Sequence, residues 1–230
     1  MHRHRELDRL PVPGAGEVSA ILDDSDSCTV LYVMAHGAGA GMRHVFLESM
    51  AQRLVARDVA VLRYQFPYTE AGGRRPDRPA VLESTTRAAV KLAAEISSLP
   101  LIAGGKSMGG RMTSNAQANA PLPGIRGIAF LGFPLHMPKK PSTSRADHLS
   151  RVDIPMLFLQ GTRDTLADLD LLTPICAQLG PKATLHVVEG ADHGFAVLKR
   201  SGRTSDEVLD ELADRIRTWV DALPSSPDRD

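Results

Sequence analysis

From residue 29 onward the chain alternates between two patterns of apolar residues. Short runs that are apolar at nearly every position predict strands: Thr29 to Ala35, Val59 to Tyr64, Pro100 to Gly105, Ile125 to Gly132, Ile154 to Gln160 and Ala183 to Val188. Runs without alternation suit strands covered on both faces, as in a parallel sheet. Between them, apolar positions recur at helical spacing. Phe46, Leu47, Met50, Leu54 and Val55 predict one amphipathic helix, Val81 to Ile96 a second and Val208 to Val220 a closing one. Glu17 to Leu22 alternates instead, which predicts an edge strand, and Asp23 to Ser27 reads as the turn after it. Strands alternating with helices imply βαβ units and an α/β fold, a mostly parallel central sheet with helices on both faces. Ligands bind at the carboxyl edge of such sheets, so the residues just after each apolar run are where chemistry is expected.

Length and composition narrow the function. A chain of 230 residues is read as one domain, with residues 1–15 and 224–230 expected to be flexible because they are charged or polar and lack a strong apolar pattern. His2 and His4 fall in that expected mobile arm, which is a poor metal site. The 27 Lys and Arg balance the 27 Asp and Glu, and aromatics make up only 4%. That leaves no basic field and few stacking platforms for nucleic acid. Cys28 and Cys176 lack metal-ligand spacing and are read as reduced thiols of a cytoplasmic protein. No signal-peptide pattern opens the chain, and no run approaches the length of a membrane span.

The chemistry centres on Gly105-Lys106-Ser107-Met108-Gly109, which follows an apolar run and precedes a predicted helix. A Gly-x-Ser-x-Gly in that setting is a nucleophile elbow, a tight turn that lifts the serine hydroxyl above the sheet edge. Two other motifs nearby fail on spacing. A phosphate-binding P-loop ending at Gly105-Lys106-Ser107 needs a glycine where Pro100 stands, and a dinucleotide fingerprint starting at Gly37 needs one where Met42 stands. Neither a nucleotide cofactor nor any other is expected. His36 and His44 lack the partners of a metal site.

A serine hydroxyl needs a base, and the base needs an orienting acid. His193 follows the last apolar run in a loop with glycines on both sides, and Asp164 follows the run ending at Gln160 through Gly161-Thr162-Arg163. Asp168 is the reserve acid, although it also suits a helix cap. Asp192 adjoins His193 and is expected to point away. The oxyanion of acyl transfer needs preplaced amides, and those of Ala38, in the glycine-rich loop after His36, and of Met108 fit. His36, Gly37, Lys106 and Arg111 are candidate substrate contacts. Lys106 and Arg111 flank the nucleophile, and Arg63, Arg74, Arg75 and Arg78 lie farther along the same edge. Only Phe133 to Asp153 separates two predicted strands where lipases carry a cap, and its prolines and lysines argue against a large apolar lid.

These residues carry a resemblance. The chain is similar to the α/β-hydrolase superfamily over nearly its whole length, above all to small lidless members near dienelactone hydrolase. Gly104 to Arg111, His36 to Met42 and Phe66-Pro67-Tyr68 resemble a group related to testis-expressed protein 30 and the third subunit of the non-specific lethal complex. The resemblance implies the fold and a triad of Ser107, Asp164 and His193. It departs from dienelactone hydrolase itself, a cysteine-nucleophile enzyme, at Ser107. The expectation is a cytoplasmic serine hydrolase, monomeric or homodimeric, acting on a small ester or thioester without membrane or nucleic acid. A catalytically silent scaffold for protein interaction and a small serine peptidase are the competing readings.

Overall fold

The computed structural model describes residues 1–224. The strands β1 (Arg3–Val12), β2 (Gly16–Asp24), β3 (Val30–Ala35), β4 (Val59–Tyr64), β5 (Leu101–Lys106), β6 (Ile125–Leu131), β7 (Met156–Gly161) and β8 (Ala183–Val188) form one sheet in the order β1-β2-β4-β3-β5-β6-β7-β8. The first two pairings are antiparallel and the rest are parallel. Helices α1 (Val45–Val55) and α6 (Ser205–Asp221) cover one face, and α3 (Pro79–Ile96), α4 (Met108–Asn119) and α5 (Leu169–Leu179) the other. The unbroken apolar runs mean what they suggest. All six residues of β3 are buried, with Leu31, Val33 and Ala35 in one core and Val30, Tyr32 and Met34 in the other. No helix among the described residues is long and apolar enough to cross a membrane.

Several expectations need correction. The N-terminal segment expected to be flexible supplies β1, so β2 lies inside the sheet rather than at its edge. A register shift between Leu7 and Leu10 explains why the alternation is hard to see: a bulge there breaks the two-residue period before Leu10 and Val12 reach the core. Asp23, read as a turn residue, lies in β2 and is buried. Its Oδ1 faces His4 Nδ1 at 2.7 Å, and its Oδ2 accepts from Arg63 Nε and Nη2 at 2.9 and 2.7 Å. α5 also escapes the pattern, because Pro174 inside it removes one amide from the helical ladder. The loop from Gln65 to Arg78 holds the one-turn helix α2 (Pro67–Glu70). The tail from 225 to 230 lies outside the described residues. Cys28 and Cys176 are free and buried. Burial pushes the Cys176 thiol up to about 11, which keeps it protonated and unreactive.

Between β6 and β7 there is no cap. The segment consists of an isolated bridge between Met137 and Lys140 and a 3-10 helix, Ser144–Arg151.

Candidate active site

Ser107 sits between β5 and α4 with φ 50° and ψ −117°, outside the regular regions for an L residue. The flanking glycines make that turn possible. A Cβ on Gly105 would lie 2.2 Å from Ala35 O, and one on Gly109 would lie 2.5 Å from His36 O. Both distances are too short for any side chain, so β5 and α4 can approach the end of β3 only with glycine there.

Three loops at the carboxyl edge then meet. His193 Nε2 lies 2.8 Å from Ser107 Oγ, and His193 Nδ1 lies 2.7 Å from Asp164 Oδ2. The network assigns the tautomer: Nδ1–H donates to the carboxylate, which leaves Nε2 to accept from the hydroxyl. Asp164 is buried, and each of its neighbours is a donor. Gln160 Nε2 donates to Oδ2 at 2.5 Å, and the Leu166 amide donates to Oδ1 at 2.7 Å. Gln160 cannot turn its amide over, because its Oε1 accepts from the Phe133 amide at 2.9 Å. Gln160 is the positioning residue that pattern reading overlooks. At the end of an apolar run it looks like an ordinary polar strand terminus, yet it is fully buried.

The alternatives to Asp164 have other tasks. Asp168 caps α5, its Oδ1 accepting from the Asp170 amide at 2.9 Å. Asp192 Oδ1 accepts from the amides of Gly194 and Ala196 at 2.8 and 2.9 Å, which shapes the loop that carries His193. A second serine–histidine contact, Ser114 Oγ to His148 Nε2 at 2.7 Å, is buried and has no carboxylate behind it in its hydrogen bonds.

The loop from His36 to Met42 is tied down at three points, by Arg63 near the carboxyl end of β4 and by Gln65 and Phe66 just after it. His36 Nε2 accepts from the Phe66 amide at 3.2 Å, Gln65 Oε1 accepts from the Met42 amide at 2.9 Å, and Arg63 Nη1 donates to Met42 O at 2.7 Å. Two candidate substrate contacts are thereby reassigned. His36 is fully buried, with Nδ1–H donating to Gly37 O at 2.8 Å and its ring packed edge-on against Phe66. Arg63 is buried on Asp23 and the loop. Both brace the loop from behind. Arg111 does not line the cleft; its guanidinium is largely buried beside Arg145 and Glu83. Arg74, Arg75 and Arg78 are exposed to solvent.

Burial holds the His36 imidazole down to about 4 and that of His148 to about the same value, the latter aided by Arg111 and Arg151. A base whose folded pKa lies below its unfolded value stabilises the fold at pH above the unfolded value, and that stability drains away as pH falls toward the folded one. For His36 the loss should reach about 2 to 3 kcal/mol by pH 4.5. Urea midpoints at pH 7 and 4.5 check this: the drop should shrink in His36→Gln, and an identical drop in both proteins would contradict it.

Above Ser107 opens a cleft of about 310 Å³ lined by Gly37, Ala38, His44, Phe46, Lys106 and Leu166, among others, with Ser107 and His193 at its floor. Gly37 lies against the elbow, where a Cβ would be 3.6 Å from Ser107 Cβ. Met108 opens α4, so its amide has no partner within the helix. Among the described residues no group of three or more His, Cys, Asp or Glu side chains is arranged to hold a metal ion.

The sequence pattern of the alpha/beta hydrolase domain matches residues 28–221. The chain belongs to that family. Solved structures repeat the alpha/beta hydrolase fold along almost the whole chain. A serine hydrolase without a lid from Xanthomonas campestris is 20% identical, with 98% of this chain and 97% of that one covered and a TM-score of 0.73. A dienelactone hydrolase from Anabaena variabilis is 18% identical, with 97% and 99% covered and a TM-score of 0.74. A cold-adapted esterase from an Arctic intertidal metagenomic library is 21% identical, with 94% of each chain covered and a TM-score of 0.67. At these identities the likeness establishes the alpha/beta hydrolase fold, and the chemistry rests on the site itself.

Proposed function

We propose that the protein is a serine hydrolase that cleaves small esters or thioesters through an acyl-enzyme on Ser107. The observation that carries this reading is the continuous relay from Ser107 Oγ through His193 to Asp164, on a strained elbow at the floor of an open cleft. As Ser107 Oγ attacks the carbonyl carbon, its proton passes to His193 Nε2, and Asp164 stabilises the imidazolium. The amides of Ala38 and Met108 receive the developing oxyanion. Collapse of the tetrahedral intermediate expels the alcohol or thiol, which takes its proton from His193. Water, with its proton drawn to the same nitrogen, then hydrolyses the acyl-enzyme and regenerates the hydroxyl.

The lidless serine hydrolase and the esterase among the structural neighbours support this class of reaction. Kinship with the group of testis-expressed protein 30 and the third subunit of the non-specific lethal complex belongs to the same proposal, on the motifs around Ser107 and His36.

A cleft of about 310 Å³ with no cap limits what the acyl chain can touch. Each methylene that finds apolar cover adds about 0.8 kcal/mol, or about fourfold in kcat/KM, and one that trails into solvent adds almost nothing. Across p-nitrophenyl esters from acetate to dodecanoate, kcat/KM should rise over the first few carbons and then level off. A steady rise to dodecanoate would contradict the open site, and no turnover of any ester or thioester would contradict the hydrolase reading.

A further inference from the structure

Apart from Ser107 and His193, the polar side chains around the cleft are all of one kind. Lys106 and His44 both line it, and among the described residues no carboxylate does. Lys106 Nζ donates to His193 O at 2.5 Å, and the rings of Phe46 and Phe195 lie 5.8 and 5.4 Å from it. An ammonium has three N–H donors, and this one spends a single donor on a protein acceptor. No carboxylate among the described residues lies within 4.0 Å of it. The nearby acids are occupied: Asp164 by His193, Gln160 and the Leu166 amide, and Asp192 by the amides of its own loop. His44 Nδ1 accepts from the Phe46 amide at 3.2 Å, which leaves its Nε2–H as a second free donor. A largely desolvated cation with donors to spare is costly unless something anionic completes its shell.

We propose that Lys106 and His44 form an anion-binding subsite beside Ser107, and that the substrate is a short ester or thioester carrying a carboxylate a few bonds from the scissile carbonyl. This rests on the serine-hydrolase reading and deepens it. The small cleft and the position of Lys106 next to the nucleophile in sequence keep the two ends of that substrate close together. Lys106 is also a positioning residue, since the same ammonium holds the backbone of the base.

The test compares isosteric ester pairs. A glutaryl ester against its 5-oxohexanoyl analogue places the carboxylate on the acyl side. The acetate of glycolic acid against the acetate of hydroxyacetone places it on the alcohol side. The readout is the ratio of kcat/KM within a pair, corrected for uncatalysed hydrolysis, so a general loss of activity on replacing Lys106 cancels. Wild type should prefer the acid about tenfold to a hundredfold in at least one pair, the worth of a charge-assisted hydrogen bond. The ratio should fall to near unity in Lys106→Met, survive in Lys106→Arg and weaken with salt. Near-unit ratios in both pairs, or a preference that Lys106→Met leaves intact, would overturn the subsite alone.

Should Lys106→Met fail to fold, the salt and pH dependence of the wild-type ratio together decide. Burial brings the ammonium down to about 8 against the opposing pull of Asp164 and Asp192. The groups facing it are those two acids, His193 and His44. The cation is present below that pH and lost above it, so the preference should weaken with salt and decline as pH rises through about 8, and a ratio that neither salt nor pH up to 10 reduces would overturn the subsite. A wild-type protein that hydrolyses none of the four esters, and whose Ser107 also resists a fluorophosphonate, would overturn the hydrolase reading and the subsite with it.

Discussion

Asp164→Asn is expected to fold and to lose about three to four orders of magnitude in turnover. The reason is local. Three donors converge on the Asp164 carboxylate, from His193 Nδ1, Gln160 Nε2 and the Leu166 amide, and Gln160 is locked by the Phe133 amide. An asparagine must place its NH2 either at the Oδ2 position, which His193 and Gln160 share, or at the Oδ1 position, which faces Leu166. If it faces His193, the imidazole moves its proton to Nε2 and can no longer accept from Ser107. If it faces Leu166, a buried amide loses its acceptor, at a cost of about 1 to 3 kcal/mol. Asp168→Asn, in contrast, leaves a residue that caps helices as well as aspartate does. Turnover of a short ester by the two variants checks the assignment. Equal losses, or a larger loss at Asp168, would move the acid elsewhere.

Ser107→Ala should be more severe still, with turnover down by about a millionfold. No other hydroxyl takes over, because among the described residues His193 Nε2 has only Ser107 Oγ in hydrogen-bond contact, and the buried Ser114–His148 pair lacks both a carboxylate and an open cleft. The variant should still bind substrate, since the cleft walls and the Lys106 contact to His193 O do not depend on the hydroxyl. A residual rate within a hundredfold of wild type would mean that the chemistry runs through another nucleophile.

The parallel sheet was legible because burial on both faces writes itself as unbroken apolar runs, and β3 to β7 fall on those runs within a residue or two, while β8, at the sheet edge and only partly buried, keeps the pattern more loosely. The elbow was legible because a tight strand-to-helix turn demands glycines at fixed offsets from the serine. What the sequence hides is where side chains point. His36 and Arg63 look like contacts for a ligand because they lie at the active edge, yet both face the core and hold the glycine-rich loop from behind. Gln160 looks like the end of a strand. β1 hides for a different reason: its bulge breaks the period of two, and its charged residues answer acids on β2 and its turn, with Arg3 and Arg5 on Asp24 and Arg3 also on Asp26. Long-range pairing of that kind leaves no local signature.

The proposed chemistry makes Ser107 a nucleophile activated by His193. Covalent labelling with a fluorophosphonate, followed by mapping of the modified peptide, tests it most directly, because a serine that attacks a carbonyl also attacks phosphorus and no knowledge of the natural substrate is needed. The adduct should fall on Ser107 in the wild-type protein and be absent from folded His193→Ala. A folded wild-type protein that carries no adduct on Ser107, or one that His193→Ala labels just as fast, would contradict the account.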